Sequence, residues 1–487
     1  MICRLWCTVR IRIEALSVFV LSAAVALLNG VSVSTHAVQP NFVVILVDDM
    51  GWRDVGFAGN AFVETPHIDR LARDGIIFSQ AYASAPNCAP TRACLLSGQY
   101  PTRHGVYTVV DERHSPGQAH HRLLAAQSNP EMASEVFTLS EALKGAGYAT
   151  SCFGMWNLGR GRDTAVSPEG QGFDTFKRPQ DLGFERNTYF NKDGSYLPDR
   201  LTEEALRFMF DHRADPFFVY FAPHSVHAPF DPKPELVEKY RQKSGADQHD
   251  ALYAATIHAL DWNVGRIRGM LEKLGIADRT TVVFTSDNGA NRQYTAPLNG
   301  GKGQLYEGGL RVPACVWGYG VTAKGSTYSS PVATIDIYPT LLGLAGIAPP
   351  EKHLLDGVSW LPVLKGESVL DRDTLYWHFP CYLGQTSPCS AIRHGDFKLI
   401  EFFERAEVEL YNLVEDPHER LNLATKNPEQ ADRLYNMLRA WQRETNAAMP
   451  NGSNPNFDVA AKAGKNKQKE KGRKKRLRTS HSKKGAS

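Results

Sequence analysis

At 487 residues and 42% hydrophobic content, the chain can bury a large core, which excludes disorder along its whole length. The formal net charge of +3 is unevenly placed, because residues 462–484 hold twelve Lys/Arg against one acid, Glu470, and leave the rest of the chain at a net −8. A mildly acidic body with a basic tail excludes a chain-wide nucleic-acid binder, and no specific nucleic-acid partner is expected.

The first 37 residues read as an export signal. Arg4, Arg10 and Arg12 form a positive region, residues 15–28 an apolar stretch, and Thr35-His36-Ala37 a small-residue cleavage site. A membrane anchor is the competing reading, but the apolar run is shorter than the about 20 residues of a spanning helix. No later segment is apolar enough to span, so a periplasmic or extracellular protein is expected. The single N-x-S/T sequon, at Asn451, favours a bacterial exported protein over a glycosylated eukaryotic one.

Residues 41–47, Asn-Phe-Val-Val-Ile-Leu-Val, are a continuous apolar run of β-forming residues, as expected of a strand buried on both faces. Similar runs recur at 148–153, 217–221 and 281–285. Helical patterns lie between them at 66–74, 139–144 and 258–274, the second with a capping-box pair, Thr138 and Glu141. This alternation predicts an α/β fold whose large, mostly parallel central sheet carries helices on both faces. Polar residues follow each strand: Asp48-Asp49, Gly154-Met155-Trp156-Asn157, Pro223-His224-Ser225-Val226-His227 and Ser286-Asp287-Asn288. Open α/β sheets place their ligands at these carboxyl ends.

From about residue 373 the texture changes to short strand-like pieces at 375–380, 390–393, 397–402 and 408–411, followed by a helical stretch at 429–445. These predict a small antiparallel sheet with one covering helix. Beyond Pro450 the composition predicts disorder. The expected organisation is a signal over 1–37, a catalytic domain over 38–372, a C-terminal subdomain over 373–447 and a basic tail over 448–487.

Of eight cysteines, Cys3 and Cys7 belong to the signal, and the six that remain are too scattered for a disulfide framework. Cys381 and Cys389 are close enough in sequence to bridge a loop. Cys88-Ala89-Pro90-Thr91-Arg92 carries a sharper signal. Pro90 suits the first turn of a helix that stops at Gly98, so Cys88 is expected just before its amino terminus. Free amides and a partial positive charge there favour an anion, and Arg92 adds a forked donor.

The run C-x-P-x-R resembles the signature of the formylglycine-dependent sulfatases, relatives of arylsulfatase A in the alkaline phosphatase superfamily. The resemblance covers residues 39–423. It implies an alkaline-phosphatase-like fold and oxidation of Cys88 to formylglycine by a separate maturing enzyme, the hydrated aldehyde then attacking a sulfate ester. It also implies metal ligands at Asp48, Asp49, Cys88, Asp287 and Asn288. Their hard oxygen donors suit Ca²⁺, with Mg²⁺ second. Arg92 holds the position of the signature arginine, Lys302 in Gly300-Gly301-Lys302-Gly303 that of the sulfate-holding lysine, and His227 that of the leaving-group acid.

One stretch departs from the family. Where it reads Gly-Lys-x-His-x-Gly, this chain has Gly154-Met155-Trp156-Asn157-Leu158-Gly159. Methionine carries no charge and asparagine cannot titrate, so the sulfate loses a cation and the covalent intermediate a proton carrier. The expected substrate is a sulfated carbohydrate, with Asn157, His378 and Arg393 as candidate contacts. The competing readings are a protein that binds sulfated glycan with impaired or no turnover, and a phosphate or phosphonate ester hydrolase. The oxygen donors and Cys88 weigh against the last.

Overall fold

The computed structural model describes residues 39–109, 117–186, 188–243, 250–367, 370–384 and 386–461. The expected signal and the Lys/Arg-rich end of the tail lie outside the described residues. Asn41–Val47 forms a strand with all seven residues buried. Its alternating side chains feed two cores. Phe42, Val44 and Leu46 join Leu95 and Leu96 on one side, and Val43, Ile45 and Val47 join Ile68, Leu201 and Leu260 on the other. That two-sided demand is why the run has no polar alternation.

The strand sits inside an eight-stranded sheet. In order, the strands are Ser326–Tyr328, Ile76–Phe78, Cys315–Gly318, Thr280–Ser286, Asn41–Val47, Phe217–Ala222, Ala149–Gly154 and Thr175–Lys177. Only Cys315–Gly318 runs against its neighbours, so the sheet is mixed with a parallel centre. The expected α/β class is borne out. A three-stranded sheet joins Val332–Ala333, Ala81–Tyr82 and Arg311–Val312, tying the approach to Cys88 to the chain leaving the Lys302 loop.

The expected helices appear at Pro66–Asp74 and Leu139–Gly145, the latter with its Thr138–Glu141 capping box. The helix expected over 258–274 is Ala251–Lys273 and starts seven residues earlier. Asp250 accepts from the amides of Leu252 and Tyr253 and so fixes that earlier start.

Thr374–Phe379, Cys389–His394, Phe397–Phe402 and Glu407–Asn412 form the small antiparallel sheet, covered by the helix Pro428–Glu444. Its core is shared with the rest of the fold, since Tyr82, Cys94, Leu305 and Leu310 cluster with Trp377, Ile392, Ile400 and Leu434. At this seam Lys398 Nζ lies 3.0 Å from Glu307 Oε1 and 2.9 Å from Glu419 Oε1, all three side chains being shut off from solvent.

Two expectations are corrected. Cys381 and Cys389 are free: Cys389 is buried in its strand, and the Cys381 sulfur lies 3.5 Å from the Ala126 carbonyl. The segment just past Pro450 is also ordered. Asn451 N donates to Leu124 O at 2.8 Å, and the buried Asn454 amide donates to Gln118 O and His121 O at 2.9 and 2.8 Å. A side-chain amide that satisfies two carbonyls explains how so polar a segment docks. Among the described residues no helix is long and apolar enough to cross a membrane.

Candidate active site

The strands Asn41–Val47 and Thr280–Ser286 run parallel with Val47 opposite Ser286, so Asp48-Asp49 and Asp287-Asn288 leave the sheet side by side. Cross-links set the turn: Asp49 N donates to Asp287 Oδ1 at 3.2 Å and Met50 N to Ser286 Oγ at 3.0 Å. Asp49 takes φ 64°, a left-handed conformation that Asp tolerates better than most residues. Cys88 joins them from a separate helix. It is the first residue of the helix Cys88–Ser97, one position further in than expected, with Asn87 as the cap and Gly98 ending the helix at φ 67°.

Donor atoms of Asp48, Cys88 and Asp287 all lie within 4.8 Å of one another, as do those of Asp48, Asp49 and His227. Both Asp48 oxygens are buried without a hydrogen-bond partner. The Asn288 amide donates to Asp49 Oδ1 at 2.8 Å, which leaves its own Oδ1 buried and unpartnered. Burial first, then the neighbouring carboxylates, push Asp48 and Asp287 up to about 7. Unpartnered oxygens beside three crowded carboxylates are costly unless a cation joins them. The donor set is hard oxygen plus Cys88, and it fits a divalent cation of the Ca²⁺ or Mg²⁺ type.

Arg92 is fully buried and faces this cluster. Its Nε and Nη2 donate to Asp287 Oδ2 at 3.1 and 2.6 Å, its Nη1 to Met155 O at 2.9 Å, and Nη2 lies 3.7 Å from Asp48 Oδ2. The arginine therefore braces the acidic centre. Lys302 Nζ lies 2.6 Å from Asp49 Oδ1. Burial opposes its charge, but Cys88, Asp49 and Asp48 push its pKa up and keep it an ammonium. Gly303 N donates to Pro86 O at 2.7 Å, pinning the lysine loop to the approach of Cys88. Gly289 permits a close crossing there, since a Cβ on it would sit 2.0 Å from Gly308 O.

Burial, and then the surrounding carboxylates against Lys302, push the Cys88 thiol up to about 12. An unmodified Cys88 is thus a poor thiolate nucleophile. His227 Nε2 stands 3.7 Å from Asp49 Oδ2, and its half-exposed ring reaches towards solvent.

Met155 and Asn157 stand where the chain leaves the strand Ala149–Gly154. Met155 N donates to Ala222 O at 2.8 Å, and Asn157, exposed and at φ 61°, donates its amide to Met155 Sδ at 2.9 Å. Neither side chain brings a charge to the site. His224 follows the same strand as His227 and also lies at the site. It is held well below the usual histidine range, at about 4, by burial and then by Arg92 and His227. Two histidines three apart after a buried strand are the signal that points to it.

His378 and Arg393 do not behave as substrate contacts. His378 is buried, with Nδ1 2.6 Å from Ser390 Oγ and Nε2 2.9 Å from Ala448 O. Arg393 is buried against the Tyr82 hydroxyl, Gln80 Oε1 and Gly395 O. Both hold the small sheet against its surroundings, because strands of that sheet turn these faces inward.

The Sulfatase family model matches residues 40–347, and the model for the N-sulphoglucosamine sulphohydrolase C-terminal region matches 301–445. A sulfatase of Formosa agariphila is 33% identical, the match covering 84% of this chain and 90% of that one. The N-acetylgalactosamine-6-sulfatase of Sus scrofa is 30% identical, over 88% of this chain and 90% of its own. Among solved structures, Ps i-CgsB in complex with k-i-k-neocarrahexaose is 26% identical with a TM-score of 0.71, covering 87% of this chain and 96% of that one. From these matches, the chain belongs to the sulfatase family of sulfuric ester hydrolases.

Proposed function

We propose that the protein hydrolyses a sulfate ester on a sulfated carbohydrate, using Cys88 converted to formylglycine and a bound Ca²⁺. The observation that carries this reading is the meeting of Asp48, Cys88 and Asp287 donor atoms within 4.8 Å. Similarity to an N-acetylgalactosamine-6-sulfatase and to a structure holding a neocarrahexaose supports a sugar substrate. Asp48, Asp49, Asp287 and Asn288 would hold the Ca²⁺, which would supply positive charge beside the sulfate, and a converted Cys88 would supply the attacking hydroxyl.

The chain's own groups do the rest. Lys302 holds a sulfate oxygen, Arg92 keeps Asp287 and Asp48 in place for the cation, and His227 gives a proton to the departing sugar oxygen. The second proton transfer, which frees the nucleophile for another cycle, lacks its usual carrier because residue 157 is Asn. Slow turnover follows, and a glycan-binding protein that scarcely cleaves is the second reading, favoured by Met155 and Asn157. Export to the periplasm or beyond, supported by residues 1–37, brings the enzyme to polysaccharide, and maturation of Cys88 requires a partner enzyme.

The test is sulfate release from a panel of sulfated oligosaccharides by protein whose residue 88 is shown by mass spectrometry to be formylglycine. Release above a Cys88→Ala blank is expected. No release at full conversion sinks the hydrolytic reading.

A further inference from the structure

Two loops that build the sulfate site run on into one neighbouring cavity, and a third packs behind its wall. The chain after Asp49 leads to Arg53 and Asp54, and the chain after Asn288 leads to Gln293 and Tyr294, all four lining the space. The chain after His227 leads to Phe230, whose ring backs the wall. The cavity measures about 510 Å³, inside the roughly 300–1,000 Å³ range of small-molecule sites.

One wall is aromatic. The Tyr253 and Tyr294 rings stack at 4.0 Å with 10° between their planes, and Phe230 leans on them at 5.2 and 6.0 Å. The wall is braced from behind, since Asp54 takes the Tyr253 hydroxyl and, at 2.6 Å, the Gly51 amide. The Tyr294 hydroxyl donates to Asp250 Oδ2 at 2.7 Å while Asp250 Oδ1 caps the helix at Leu252 N, 2.9 Å away. The remaining lining is mixed in kind, with the Arg53 guanidinium, the Gln293 amide and the Asp54 and Asp250 carboxylates.

We infer that this cavity is a sugar subsite, which binds a second pyranose joined to the residue that bears the scissile sulfate. The inference rests on the sulfatase reading above, which puts the leaving sugar on the His227 side. A pyranose offers an apolar C–H face to a ring and hydroxyls that both donate and accept, which matches a wall of tyrosine beside a guanidinium, an amide and carboxylates. A plain aryl group leaves those polar groups unmatched.

Binding is read without turnover, by calorimetric titration of the Cys88→Ala protein. The probes are a tetrasaccharide and the matching monosaccharide sulfate from a sulfated galactan and from chondroitin 6-sulfate. The tetrasaccharide of one pair is expected to bind about tenfold or more tighter than its monosaccharide, equivalent to about 1.4 kcal/mol. Tyr294→Ala and Arg53→Ala each cut that advantage, Tyr294→Phe keeps it, and monosaccharide affinity stays within about twofold throughout. Equal binding of tetrasaccharide and monosaccharide overturns the subsite alone. Parallel weakening of both by Tyr294→Ala does the same, by making Tyr294 a structural residue. Failure of either sugar to bind the parent removes the sulfated-carbohydrate reading along with the subsite.

Discussion

Arg92 turns Nε and Nη2 onto a single oxygen, Asp287 Oδ2, at 3.1 and 2.6 Å, inside a fully buried cluster. An arginine at that point in the motif is a natural candidate for touching sulfate directly. In this chain its fork closes on a carboxylate of the candidate cation site, and its third nitrogen holds the Met155 carbonyl. Removing the guanidinium strands a buried carboxylate. Arg92→Met is therefore expected to lower the unfolding free energy of chelator-treated protein by about 3–5 kcal/mol. A loss under about 1 kcal/mol in chemical denaturation would show that the pair does not brace the fold.

Met155 and Asn157 occupy a frame that still accommodates the missing groups. Asn157 has φ 61°, a conformation that His also adopts more readily than most residues. Met155→Lys with Asn157→His is thus expected to raise kcat for sulfate release by about 10²–10⁴, the usual worth of a positioned proton carrier. A change under threefold would mean that His224 or another group already does the work.

The unpartnered oxygens of Asp48 and Asn288 call for a cation whether or not Cys88 is converted. Ca²⁺ at about 100 times its Kd is expected to stabilise chelator-treated protein by about 2.7 kcal/mol. Asp48→Asn should abolish most of that gain, and Zn²⁺ should not reproduce it. Thermal melts that ignore Ca²⁺ would remove the ion from the scheme.

His378 makes stability depend on pH. Burial holds its folded pKa at about 4, against about 6.5 in the unfolded chain. Between those values the unfolded chain binds the proton and the folded one does not, so stability falls as pH drops from 6.5 towards 4. The loss attributable to this ring approaches roughly 3 kcal/mol at the lower end. His378→Gln should flatten that limb of the denaturation profile relative to the parent. Parallel profiles would assign the acid sensitivity elsewhere.

The parts of the fold that are legible in the sequence are those set by local pattern. Residues 41–47 read as a doubly buried strand because seven successive side chains enter two cores. The acids after it and after Ser286 are conspicuous because charge so near a buried strand needs a reason. What stays hidden depends on partners far along the chain. The ring of His378 meets the Ala448 carbonyl 70 positions on, and Arg393 meets Tyr82 and Gln80 more than 300 positions back. No spacing rule announces such contacts, so both residues read as candidate substrate contacts. The docking of Asn454 onto Gln118 and His121 is hidden for the same reason.

The departure at Met155 and Asn157 is legible only through family resemblance. Its electrostatic setting, with the guanidinium of Arg92 held by the Met155 carbonyl, needs the folded chain. The cavity behind Arg53 is hidden more deeply, because its lining comes from two loops far apart in sequence and the start of a helix.

The lysine of the small sheet, Lys398, sits between Glu307 and Glu419. Glu307 opens the turn that follows the glycine-rich stretch carrying Lys302. A chain cut before the small sheet would consequently take Lys398 from the buried Glu307 carboxylate and leave it only the more distant Arg311 guanidinium, 3.9 Å away, as counter-ion. The loop that presents the Lys302 ammonium would lose its footing at the same stroke. The appended sheet is in this sense a keystone for the catalytic half, and the two are expected to melt as one.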